Sequence, residues 1–138
     1  MVISITVFPD AELMVRNFLA EYFDSDAHLC TVVPGDPEFA ALIGDKAVIR
    51  TIRIGGTWRV RKALDEPNVD IDVWASSLST ARAIANRARA ALEAMTGDQR
   101  DGGLVTYTSE ISGPGRRPEE NPNIYRIGFT VGLCVRPA

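Results

Sequence analysis

The nearest thing to a catalytic pair in this chain is a thiol and an imidazole two residues apart. His28 and Cys30 share one face of a short strand, a geometry in which an imidazole could take the thiol proton. A cysteine nucleophile also needs a third group to orient its base, and nothing around His28, the sole histidine, supplies one. A small cysteine-dependent enzyme is thus the weaker reading, and no catalytic residue is assigned. His28, Cys30 and Cys134 lack the paired spacings of a structural zinc site, and Asp70 and Asp72 read as solvated acids on the wet face of a strand, so no metal is expected. Gly55-Gly56, Gly102-Gly103 and Gly113 to Gly115 do not stand between a strand and a helix start, where glycines cradle phosphate. They read as turns, and no cofactor is expected. Trp58, Arg59, Arg61 and Lys62 resemble a small nucleic-acid patch, but acids follow at once, and a protein-facing or solvated edge strand is the better account.

Length and charge narrow the classes further. A chain of 138 residues, 46% of them hydrophobic, suits one compact domain spanning residues 1–138, which removes roughly two-thirds of its unfolded surface from water. A net charge of -3, with both signs mixed along the chain, gives no field for nonspecific DNA or an anionic membrane. The two cysteines lie far apart, and no secretory leader or membrane span is read, so reduced thiols in a soluble, cytoplasmically made protein are expected.

The element that must position the rest is the stretch from Val69 to Met95. Val69, Ile71, Val73 and Ala75 alternate with Asp70, Asp72 and Trp74, which predicts a strand buried on one face. Leu78, Ala81, Ala85, Ala88, Leu92 and Met95 then recur at helical spacing, capped by Ser77 or Ser79 and stopped near Gly97. An alanine-rich stripe lets this helix lie close on its own sheet. An earlier helix is predicted after Pro9, with Ala11, Met14, Val15, Phe18, Leu19 and Tyr22 as its apolar stripe and Asp10 and Glu12 at its start.

Strands are predicted at His28 to Val33, at Ala47 to Ile54 with Gly55-Gly56 as its end, at Leu104 to Ile111 and at Ile124 to Val135. Residues 2 to 8 could add a short arm or strand, and Trp58 to Lys62 could continue the sheet before a turn at Asp65 to Pro67. Residues 36 to 45 read as a loop with at most one helical turn. Residues 112 to 123, rich in glycine and proline, predict a long exposed, mobile loop between the last two strands.

The expected fold is therefore α+β: a four- to five-stranded antiparallel or mixed sheet with two amphipathic helices on one face. The opposite face carries Asp70, Asp72 and Trp74, with Arg126 and Arg136 close by. Trp74 there is either part of a protein contact or packed under the 112 to 123 loop. The last strand turns Gly128, Thr130, Gly132 and Cys134 to that side, which leaves it bare; the two glycines read either as a local twist or as room for another backbone.

The order of these signals resembles the tail terminator proteins of long-tailed bacteriophages and prophages. The resemblance runs through Pro9-Asp10-Ala11-Glu12, Val32-Val33-Pro34, Arg53-Ile54-Gly55-Gly56 and Val73-Trp74-Ala75 leading into the alanine-rich helix. It ends on Ser112-Gly113-Pro114 and on Tyr125-Arg126-Ile127-Gly128-Phe129-Thr130-Val131. Asp36 to Lys46 is longer than the family's pattern.

The resemblance implies a structural virion protein. Several copies, a hexamer, form a ring on the head-proximal end of the tail tube, stop its growth, meet the major tail-tube protein and the head-completion or connector protein, and leave a channel for the genome. Such a ring would be assembled in the host cytoplasm. A head-completion or head-tail adaptor protein of the neck is the alternative. Under the resemblance, Trp74, Asp70, Asp72, Arg126, Arg116 and Arg117 are the expected contact positions.

Overall fold

The computed structural model describes residues 3–138. Asp10 accepts the Leu13 amide at 3.1 Å and so caps the first helix, α1 (Ala11–Phe23). Its buried stripe is Ala11, Met14, Val15, Leu19 and Phe23, so Phe23 takes the inward position expected of Tyr22, whose ring is exposed. A short turn leads into β1 (His28–Cys30), which is half the length expected. The helix α2 (Asp36–Asp45) follows, and then β2 (Val48–Val60), β3 (Leu64–Ala75), α3 (Leu78–Glu93), β4 (Gln99–Arg100), β5 (Gly103–Arg116) and β6 (Tyr125–Pro137).

The six strands form one mixed sheet in the order β1-β2-β3-β6-β5-β4, curled into a half-barrel. Only β1 and β2 run parallel among the pairs. Register puts Val69, Ile71 and Val73 opposite Val131, Phe129 and Ile127, and all six face the core. Over that face lie α1 and α3, the latter started by Ser77, which accepts the Thr80 amide at 3.2 Å. The small Ala81, Ala85 and Ala88 let α3 sit close to the strands, as its sequence predicts, and Leu92 and, just past its end, Met95 are buried with them.

Four expectations are corrected. The first is that residues 36–45 are not a loop: Pro37 stands at the start of α2, Asp36 and Glu38 suit the positive end of its dipole, and Phe39, Leu42 and Ile43 turn together onto Trp74 and Val48. This third helix lies on the face away from α1 and α3, and the sequence pattern was too short to reveal it without that packing partner.

The second concerns the sheet, which has six strands, the extra one being the two-residue β4. Gly55-Gly56 does not end β2 but sits beside a bulge at Ile54, and Asp65 to Pro67 lies inside β3; the turn is at residues 61–63. Gly56 has φ +94°, and a Cβ there would strike the Glu66 carbonyl, so the strand crosses this point only with glycine.

The third is that β5 runs through Gly113, Pro114 and Gly115 to Arg116 by two register shifts, which an edge strand tolerates. The connection is therefore residues 117–124, shorter than expected. The fourth is that the polar side of β6 is not bare: Gly128, Thr130, Gly132 and Cys134 are buried, and the glycines make room for side chains, Arg117 at Gly128 and Ser109 with Ile111 at Gly132. Of residues 2 to 8, residue 2 lies outside the described residues and 3–8 form no strand.

Candidate interaction surface

The face away from α1 and α3 carries a network of ions built by register. β3 supplies Asp70 and Asp72; its neighbours place Arg50 opposite Asp72 on one side, and Gly128 opposite Asp72 and Thr130 opposite Asp70 on the other. Because Gly128 has no side chain, the Arg117 guanidinium lies across β6 at that point, where a Cβ would overlap it. Arg117 donates to both oxygens of Asp70 at 2.6 and 2.7 Å and to Asp72 at 2.8 Å. Asp72 also receives Arg50 at 2.5 Å and Arg126 at 2.9 Å, and Thr130 donates to Asp70 at 2.9 Å.

Three guanidiniums thus hold two carboxylates, and Asp72 is wholly buried among them, so the pair are not the solvated acids that their alternation suggests. Burial alone would push the Asp72 carboxyl up, but the hydrogen bonds from Arg126 and Arg50 and the charges of Arg126 and Arg117 outweigh it and hold the group below its usual value. The hydrogen bond to Asp70, against the opposing effect of burial, raises the affinity of Arg117 for its proton.

Trp74 closes one end of this network. Arg50 and Arg126 stack on its ring at 5.3 and 5.2 Å, Phe39 of α2 meets it edge-on at 5.3 Å, and its indole N–H donates to Glu119 at 3.1 Å. It is 4% exposed, covered by α2 and by the 117–124 connection. The network also fixes that connection from its root. The Arg117 amide donates to the Arg126 carbonyl, and the Arg126 side chain reaches the Pro118 carbonyl. Residues 118–123 are exposed above this support.

The six expected contact residues therefore divide by position. Asp70, Asp72, Trp74, Arg117 and Arg126 are brought together beneath the connection, whereas Arg116 is exposed beside it. Arg136, expected nearby, is exposed at the far end of β6, opposite Leu104. Sequence reasoning missed Arg50, Glu119, Thr130 and Phe39. The parity of Arg50 against Asp72 would have revealed the first only once the β2–β3 register was known.

The other candidate groups do different things. His28 Nε2 lies 3.0 Å from Asp45, while Cys30 donates to the Ile49 carbonyl at 3.6 Å and joins the apolar cluster under α2. Burial pushes the Cys30 thiol up, the reverse of what a nucleophile needs, and the charges of Arg50 and Arg16 do not offset it. Among the described residues no cluster of three or more His, Cys, Asp or Glu side chains could hold a metal ion, and no helix is long and apolar enough to cross a membrane. The hairpin of β2 and β3 ends in a projecting tip with Trp58 62% exposed beside Arg59, Arg61 and Lys62.

Salt-linked side chains thus brace one exposed connection, and the tip of the β2–β3 hairpin is a second exposed surface. The family model described as phage tail termination protein matches residues 7–138, and the chain belongs to that family. It is a structural, non-enzymatic family of the phage virion, which removes the cysteine-enzyme reading. A chain of a solved structure, "Virion of native gene transfer agent (GTA) particle", has a similar fold, with a TM-score of 0.58 and 17% identity over 86% of this chain and 84% of that one. No curated protein matches the sequence.

Proposed function

We propose that copies of this chain form a ring, a hexamer, at the head-proximal end of the tail tube. The ring stops addition of the major tail-tube protein and offers its other side to a head-completion or connector protein, with the genome passing through the channel without specific binding. Assembly takes place in the host cytoplasm. Membership of the tail termination family over nearly the whole chain carries this reading.

The contact with a partner is made by Arg116 and the exposed residues 118–123, while Asp70, Asp72, Trp74, Arg117 and Arg126 hold that surface in one shape. The experiment is a gene deletion read by electron microscopy of the particles. Without the chain, tails should be overlong or of irregular length and unjoined to heads. Tails of normal, uniform length on filled heads would overturn the reading.

A further inference from the structure

Two unpaired features of this chain fit each other. Residues 3–9 precede α1 in neither helix nor strand, and among the described residues none of their backbone groups is hydrogen-bonded to another. Ile3, Ile5 and Val7 alternate along this stretch and are 73%, 79% and 82% exposed, while Thr6 and Phe8 on the other side are partly shielded. A row of β-branched residues on one side of an extended segment is the pattern of a half-buried strand. Here, among the described residues, nothing covers that side.

The second feature is the outer edge of β5. β4 pairs only with Gly103 and Leu104, and Val105 bonds to Gly97 and Asp98; from Thr106 onward, among the described residues, no strand lies on that edge. Alongside it, between β5 and the flank of α3, runs a cleft of about 730 Å³ lined by the apolar Ala90, Leu92 and Val131 and by the charged Arg89, Glu93 and Glu110. A strand laid on this edge would turn alternate side chains into the cleft.

The other open edge is less suitable. β2 is unpaired beyond Arg50, but it carries Arg53 and Arg59, and charged edge residues oppose strand addition. Between Thr106 and Gly113 the only charged residue is Glu110, already held by Arg89 at 2.5 Å. Pro114 ends the stretch, since it has no N–H to offer. The uncharged segment 3–8 is short enough to lie within the stretch that remains.

We propose that residues 3–8 of one copy add as a strand to the outer edge of β5 in a second copy, with Ile3, Ile5 and Val7 turned into the cleft beside α3. Main-chain hydrogen bonds join the two sheets and the cleft selects the register. A contact of this head-to-tail kind is the one that closes into rings, and the proposal rests on the reading that copies of this chain assemble side by side.

The test mixes two single variants, Ile5→Cys and Ala90→Cys, both at exposed positions, and treats the assembled protein with a short bismaleimide that tolerates differences in register. The mixture should give a cross-linked dimer at least tenfold above either variant alone, and a chain lacking residues 2–8 should associate at least tenfold more weakly while the dilute monomer still unfolds cooperatively. Copies that assemble in particles without this cross-link, or a doubly substituted chain that links only within itself, would overturn the arm and leave the ring standing. Copies that remain monomeric at every concentration, alone and on tail tubes, would overturn both.

Discussion

Arg117 and Asp70, 47 residues apart, meet as a fork: the two terminal nitrogens of one guanidinium grip both oxygens of one carboxylate. This pair ties the connection after β5 to the central strand. Removing Arg117 leaves Asp70 and the buried Asp72 with fewer counter-charges, and breaking one side of a buried ion pair costs about 3 kcal/mol or more. Arg117→Ala should lose about that much unfolding free energy in urea denaturation. Arg117→Lys, which keeps the charge and loses the fork, should fall in between. A loss of less than about 1 kcal/mol for the alanine variant, the size of an exposed pair, would mean the connection is held elsewhere.

Arg116 stands next in the chain but in solvent. Arg116→Glu should leave the stability of the isolated chain within about 0.5 kcal/mol. Particle assembly should respond differently, with the yield of complete tailed particles falling about tenfold, the scale of one important interface residue. Equal yields from variant and wild type would take Arg116 out of the contact.

Asp72 makes the fold sensitive to acid in one direction. Its carboxyl is depressed in the folded state, so the stability it adds is complete above the unfolded value of about 3.8 and drains away as pH falls through the lower folded value. Asp72→Asn should therefore be clearly less stable than wild type near neutrality, with a gap that narrows below about pH 4. Denaturation curves across that range check it, and a gap independent of pH would contradict the assignment.

Two glycines near each other give opposite expectations. A methyl at Gly128 overlaps the Arg117 guanidinium, so Gly128→Ala must push the fork off Asp70 and should cost about 1–3 kcal/mol. Gly115 has open space where its Cβ would be and an ordinary backbone, so Gly115→Ala should be close to neutral. Thermal melting of the two variants side by side distinguishes them.

The elements with long periodic patterns were legible in the chain. α1, α3, the inward side of β3 and the inward row Ile127, Phe129, Val131, Leu133 and Val135 all lie as the spacing predicts, whereas Asp72 and Trp74, on the side of β3 expected to be wet, are buried. What escaped the sequence depended on partners distant in it. α2 is stabilised against Trp74, the bulge at Ile54 lets β2 pass two glycines, and β5 holds Pro114 only because its outer edge needs no donor there. The grouping of Asp70, Asp72 and Arg126 on one face followed from parity. That Arg50 and Arg117 complete it follows from register and from the missing side chain at Gly128, which no local pattern records.

The position of α2 divides the hairpin of β2 and β3 into two regimes. Asp72 to Ala75 are buried, with α3 and α1 covering one side of the strand and α2 the other, whereas Gly55 to Ala63 stand in solvent. Amide protons at the first end should exchange with deuterium only on global unfolding, and those at the second within moments. One pair of strands is therefore enclosed on both faces at one end and bare to water on both faces at the other.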